Sequence, residues 1–212
     1  MTTKNPTARD DFDVNEYWLT RGKSYVQEER LQTDYYKTQE QFLLETLVDV
    51  GVPIGRVLEL GCGFGRITRL LAQAYPQGRI IAVDLSPHQI NQARNLCDDC
   101  PNVSFQQYDL YSTRPLPGHD FDTAVAIEVL LHHPESVVRD VLRRLASVAR
   151  WIVNLDWSER WTGDVAEHVW VHDYQAIYRE LGISCQVFPL PEKVGGQQQK
   201  LFIARSGAGM KR

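Results

Sequence analysis

The chain has 212 residues, enough for one well-buried domain of ordinary size. Hydrophobic residues make up 43% and charged residues 24%, the balance of a globular fold rather than a disordered one. The formal net charge of -4 gives no electrostatic reason to expect a nucleic-acid partner. The polar N-terminus, MTTKNPTARDDFD, lacks the apolar core of a signal peptide. No stretch approaches the ~18 apolar residues of a membrane span, so the expected setting is cytoplasmic, with no membrane partner.

In chain order, Tyr36, Leu43, Leu47 and Val50 share one face and predict a helix over 31–50, ended by Gly51 and Pro53. The run RVLEL at 56–60 reads as a buried strand, and Ile67, Leu70, Leu71 and Ala74 repeat at helical spacing behind it. A second strand is RIIAVD at 79–84. Ser86, Pro87 and Gln89 then form an N-cap, a first-turn proline and a capping box. That helix is expected to reach about Cys97. Strands follow at 102–107 and 121–127, then an amphipathic helix through Val138, Val141, Leu142 and Leu145, then a strand at 151–156. Tyr174, Ile177, Tyr178 and Leu181 predict the last helix. Segments 183–188 and 200–205 read as a closing antiparallel pair joined by PLPEKVGGQQQ, before a loose tail, SGAGMKR. Strands alternating with helices argue for an α/β fold with a mostly parallel sheet, helices on both faces, and a ligand site at the carboxyl ends of the strands. The expected organisation is a helical cap at 1–50, a core at 51–206 and a flexible tail at 207–212.

Of the four cysteines, Cys97 and Cys100 form one CxxC, with no second pair to complete a zinc site. They are expected to be reduced, and no metal is expected. Cys62 reads as a small loop residue rather than a nucleophile.

The loop GCGFG joins the first strand to the first core helix. Gly61 and Gly63 let the backbone adopt positive φ and pass close to a ligand. A dinucleotide fingerprint would place glycine at 66, where Arg66 stands. Glu59, just ahead of the loop, would repel a pyrophosphate but suits a ligand with cationic groups. Asp84, at the end of the second strand, could accept hydrogen bonds from both ribose hydroxyls.

Four stretches, VLELGCGFGRIT, IIAVDLSPHQINQAR, VSFQQYDL and FDTAVAIEVLLHH, stand in the order found in class I S-adenosylmethionine-dependent methyltransferases, which this chain resembles over roughly residues 56–205. The resemblance implies a Rossmann-like three-layer α/β/α domain with a seven-stranded sheet whose last strand is antiparallel. It also implies S-adenosylmethionine as methyl donor. By match, Glu59, Gly61, Cys62, Gly63 and Gly65 form the methionine-side loop, Asp84 and Leu85 the ribose and adenine contacts, and Asp109 with Leu110 the adenine site. Glu128 with Val129 forms the wall beneath the sulfonium. The segment EYWLTRGKSYVQE resembles a cap found in small-molecule members, where Arg21 would hold the methionine carboxylate and Tyr17 and Tyr25 would close over the cofactor.

Methyl transfer is a direct displacement in which alignment supplies much of the acceleration, and a base is needed only for an acceptor that must lose a proton. His133 and His132, after the fourth strand, are the first candidates, followed by His168 and His172; Asp156 ends the fifth strand. Trp157, Trp161 and Trp170 are candidates for an aromatic acceptor pocket. The expected activity is methylation of an oxygen or nitrogen of a small molecule by a monomer or homodimer. One alternative is RNA 3′-terminal ribose methylation, whose family motif Glu-x-x-Glu-His is matched here only by Glu128 and His132, with Leu131 in place of the second acid. A non-catalytic cofactor-binding protein and an NAD-dependent oxidoreductase are the others.

Overall fold

A computed structural model describes residues 12–25, 33–157, 166–194 and 197–207. Seven strands form one sheet: β1 (Arg56–Leu60), β2 (Arg79–Asp84), β3 (Val103–Gln107), β4 (Phe121–Ile127), β5 (Ala149–Trp157), β6 (Ser184–Val194) and β7 (Gln197–Arg205). Their order is β3-β2-β1-β4-β5-β7-β6, and only β7 runs antiparallel to its neighbours. The chain moves outward from β1 to β3 and returns to β4. This reversal opens a crevice between β1 and β4 at the carboxyl ends of the strands.

Helices α1 (Val14–Arg21), α2 (Thr33–Val50), α3 (Arg66–Ala74), α4 (Pro87–Leu96), α5 (Glu135–Val148) and α6 (Tyr174–Glu180) complete the described elements, with a short 3-10 turn at Leu130–His132. α4 begins as its sequence dictates: the Ser86 hydroxyl accepts from the Gln89 N–H and Pro87 opens the first turn. Along β1 the side chains alternate. Leu58 and Leu60 pack with Val138, Leu142 and Tyr178 on one face of the sheet. Val57 packs with Leu43, Leu47 and Leu71 on the other. Leu43 and Leu47 of α2 are fully buried there, each worth about 1.5–3 kcal/mol. Helix α2 is therefore part of the sheet's covering layer and not only a cap.

Two expectations shift. β6 and β7 run on to Val194 and from Gln197, so PLPEKVGGQQQ is largely a long hairpin and not a loop. Ser206, read as part of the loose tail, is buried, and its hydroxyl donates to the Ala149 carbonyl. The first two residues of the helix predicted from 31 lie outside the described residues, as do 208–212. No described helix is long and apolar enough to cross a membrane.

Candidate functional site

A partly open cleft lies over the crevice between β1 and β4. The loop after β1 forms its floor. Gly61, Gly63 and Gly65 have φ of 61°, 54° and 95°, but their surroundings differ. A Cβ at Gly65 would lie 2.9 Å from the Ala93 Cα, so this glycine lets α3 and α4 approach. A Cβ at Gly63 would meet nothing within 4 Å. Gly63 leaves its backbone open to whatever enters the cleft.

Asp84 braces this loop. One carboxylate oxygen accepts from the Gly63 N–H at 2.9 Å and the other from the Ser86 N–H at 2.8 Å. Burial raises its pKa against these backbone donors. Glu59 is buried beneath the loop, where it accepts from the Thr68 hydroxyl at 2.6 Å. Burial pushes its carboxyl up to about 7, opposed by Thr68 and Arg66 and reinforced by Asp84. Burial also raises the Cys62 thiol well above its ordinary value, so it is no ready nucleophile. Cys97 and Cys100 are buried free thiols at the end of α4 and do not line the cleft. Leu85, Leu110 and Val129 line the cleft. Asp109 does not. It accepts from the Asn15 side chain at 3.2 Å and caps the Tyr111 N–H, which ties α1 to the rim after β3.

α1 closes one side. Its N-cap Asp13 accepts from the Glu16 N–H, and Val14, Asn15 and Trp18 face the cleft with Tyr25. Trp18 packs on His132 at 4.5 Å, and Tyr17 stacks on His168 at 4.6 Å. Tyr17 is thus held outside the cleft wall. Arg21 lies over the Tyr25 ring at 5.7 Å and is not among the lining residues.

The four histidines separate into two pairs. His132 and His133 line the cleft; His168 and His172 stand behind them. His132 Nδ1 is 2.8 Å from the His168 carbonyl, which requires an N–H there and leaves Nε2 unprotonated. His172 Nε2 likewise donates to the His133 carbonyl at 2.9 Å. Burial pushes His132 down to about 3 and His133 to about 4, so both are neutral and weakly basic. His172 supports the turn that carries His133 and does not reach the cleft. Asp156 is fully buried, accepts from Asn154 and has a carboxyl raised far above its ordinary range by burial, also away from the cleft. Trp157 and Trp170 do not line the cleft either. Trp170 donates its backbone N–H to Leu131, and Trp161 lies outside the described residues. The aromatic lining comes instead from Trp18, Tyr25, Tyr36, Phe64 and Tyr108.

One constellation was not singled out from the sequence. Glu128 follows β4 with a left-handed φ of 58°. Its Oε1 accepts from the Tyr35 hydroxyl at 3.0 Å and from Gln199 Nε2 at 2.6 Å, and its Oε2 lies 3.6 Å from the Arg66 guanidinium. Arg66 also pairs with Glu40 at 3.2 Å, donates to Gln39 at 2.6 Å and stacks on Tyr36 at 4.0 Å. Gln39 in turn donates to Gln199 at 3.0 Å. The available signal was Gln39, a polar residue on the same helical face as Tyr36 and Leu43. Among the described residues no three His, Cys, Asp or Glu side chains converge as metal ligands.

Residues 57–151 match a family model described as a methyltransferase domain. A trans-aconitate 2-methyltransferase of Methylobacterium nodulans is 38% identical over 91 residues, 43% of this chain and 34% of that protein. A protein named methyltransferase str2, of Strobilurus tenacellus, is 31% identical over 123 residues, 56% of this chain and 42% of its own length. The chain thus spans well under half of either relative. Among solved structures, magnesium protoporphyrin IX methyltransferase of Synechocystis PCC 6803 with bound S-adenosylmethionine superposes with a TM-score of 0.72. That match has 18% identity and covers 94% of this chain and all of the other.

Proposed function

We propose that this chain, whose residues 57–151 match a methyltransferase-domain model and whose fold is that of an S-adenosylmethionine-bound methyltransferase, is a class I S-adenosylmethionine-dependent methyltransferase that transfers a methyl group to an oxygen or nitrogen of a small molecule. The observation that carries the reading is Gly63. Its open Cβ direction sits beside the braced Asp84 carboxylate, and Glu59 is buried beneath the same loop. These residues fit the cofactor. Each Asp84 oxygen keeps a lone pair for a ribose hydroxyl, and an ammonium group gives buried Glu59 the counter-charge that favours its ionised form. Leu85, Tyr108 and Leu110 supply an apolar slot for a purine, with Asp109 at its edge.

Bound there, S-adenosylmethionine supplies an electrophilic methyl group. The chain's part is to position and to dry the site. Gly61, Cys62, Gly63 and Gly65 set the loop's path, and Glu128 with Val129 forms the wall opposite. α1 covers the cleft with Trp18, while Tyr25 and Arg21 flank its entrance. His132 and His133 offer neutral imidazoles on the acceptor side, where Nε2 of His132 can accept a hydrogen bond. In-line positioning of this kind is worth up to ~7–11 kcal/mol. A small acceptor agrees with a cleft aromatic in its lining and roofed by a helix.

The test combines binding and turnover. S-adenosylmethionine should raise Tm by several degrees, and methyl-labelled cofactor should mark a product in a metabolite extract. An unchanged Tm, with no heat of binding in calorimetry, refutes the reading.

A further inference from the structure

We infer that the acceptor is a primary or secondary amine, and that the Glu128 carboxylate receives its N–H and aims the nitrogen lone pair along the line of transfer. The inference rests on the methyltransferase reading and deepens it.

Three observations lead there. The first is how Glu128 is held. Tyr35 from α2 and Gln199 from β7 both donate to Oε1, and Gln199 is itself fixed by buried Gln39. Glu128 lines the cleft, and its Oε2 has a guanidinium at 3.6 Å, beyond good hydrogen-bond distance. One oxygen is anchored by two donors and the other keeps acceptor capacity toward the ligand. A donor group on the acceptor completes it.

The second is charge. The cleft is lined by three carboxylates, Glu59, Asp84 and Glu128, against one guanidinium, Arg66. Arg66 is already shared with Glu40 at 3.2 Å. With Glu59 and Asp84 assigned to the cofactor, the cleft keeps Glu128, and its single cation, Arg66, is neutralised from behind by Glu40. An anionic acceptor meets net negative charge there, whereas an amine is attracted in either protonation state. This departs from the carboxylate-bearing compound in the name of the trans-aconitate relative.

The third is basicity. His132 and His133 are buried, neutral imidazoles whose protonated forms are disfavoured by burial. A hydroxyl acceptor requires a base near neutral pKa, and neither histidine provides one. A neutral amine needs none. Its lone pair forms the N–C bond while the S–C bond breaks onto sulfur, leaving S-adenosylhomocysteine. The resulting ammonium then gives one N–H proton to water, its remaining N–H directed at Glu128.

The experiment supplies methyl-labelled S-adenosylmethionine to the full chain with a metabolite extract and with benzylamine, N-methylbenzylamine, benzyl alcohol and phenylacetate. The labelled atom is identified by mass spectrometry and carbon NMR. Label on nitrogen is expected. Label on a hydroxyl, a carboxylate or carbon overturns the inference, as does the absence of any labelled amine. In those cases intact cofactor binding by calorimetry leaves the methyltransferase reading standing, whereas loss of cofactor binding removes both. Glu128→Gln turns a donor toward the acceptor and should lower kcat/KM for the amine at least 50-fold. Tyr35→Phe removes one anchor and should raise the amine KM three- to tenfold, so the role is read even if the first variant folds poorly. Unchanged amine kinetics in both variants overturns the assignment.

Discussion

Gly63 and Gly65 are two positions apart in one loop, and they answer to different demands. Gly65→Ala drives a Cβ to 2.9 Å from the Ala93 backbone, which cannot yield without parting α3 from α4. The expected loss is about 2–3 kcal/mol of stability, at the level of overpacking a close contact. Gly63→Ala meets no atom, so its cost is the left-handed φ alone, about 1 kcal/mol. Its methyl group would enter open space at the cleft lining, where the cofactor is proposed to sit. The folded Gly63→Ala protein should therefore lose cofactor affinity at least tenfold while its denaturant midpoint moves little. Calorimetry and urea unfolding on both variants check the pair, and equal losses of affinity and stability in each would contradict this division. Both glycines were legible in the sequence as loop residues. Their separate reasons were not, because the Ala93 backbone and the open cleft come from packing and not from spacing.

At the scale of elements, strands and helices were legible wherever a segment carries its own period. The stripes of α3 and α5 and the apolar run of β4 are cases, and so is the capped start of α4. The hairpin β6–β7 was underestimated because its glycine- and glutamine-rich tip shows no alternation, although the ladder continues from Lys193 opposite Gln198 to Val194 opposite Gln197. The role of α1 was half visible. Its aromatic residues suggested a cover, but they rest on histidines 114 and 150 positions away (132 − 18 and 168 − 18), which no local pattern reveals. Trp18 holds α1 down through His132 at 4.5 Å and His168 at 6.1 Å. Aromatic pairs of this kind contribute about 0.5–1.5 kcal/mol beyond area burial. Trp18→Ala should then speed cofactor release roughly three- to tenfold in stopped-flow displacement. Amide exchange should accelerate across Val14–Arg21 and stay unchanged in β1 and β4. A slower release, or exchange that rises equally throughout the sheet, would show that α1 is not a separate cover.

For the molecule as a whole, the sheet order gathers the loops after β1, β2 and β4 at the carboxyl edge of the sheet, and that much follows from the βα alternation. Which acids share the edge with which bases does not, since the Glu128 network draws on α2, α3, β4 and β7 across 164 positions (199 − 35). Burying charge at this edge has a consequence for global stability, and Glu59 gives it a sign. Its carboxyl is raised from 4.5 to about 7 in the folded chain. A group raised on folding stabilises fully below its unfolded value, and the contribution is lost as pH climbs through the folded one. In the cofactor-free protein this loss falls between about pH 4.5 and 7. Glu59→Gln, which cannot ionise, should match the wild type near pH 4. At pH 8 it should exceed it by about 2–3 kcal/mol, or roughly 5–10 °C in Tm for a chain of this length. Cofactor binding should run the other way. A cationic amino group prefers the ionised carboxylate, so wild-type affinity should rise nearly tenfold per unit from pH 5.5 to about 7 and then level off. The neutral histidines add an opposite slope to stability, because a base depressed on folding destabilises as pH falls below its unfolded value. Comparing Glu59→Gln with the wild type at each pH cancels that background. A variant whose affinity keeps the wild-type pH slope would show that Glu59 does not meet the cofactor's charge.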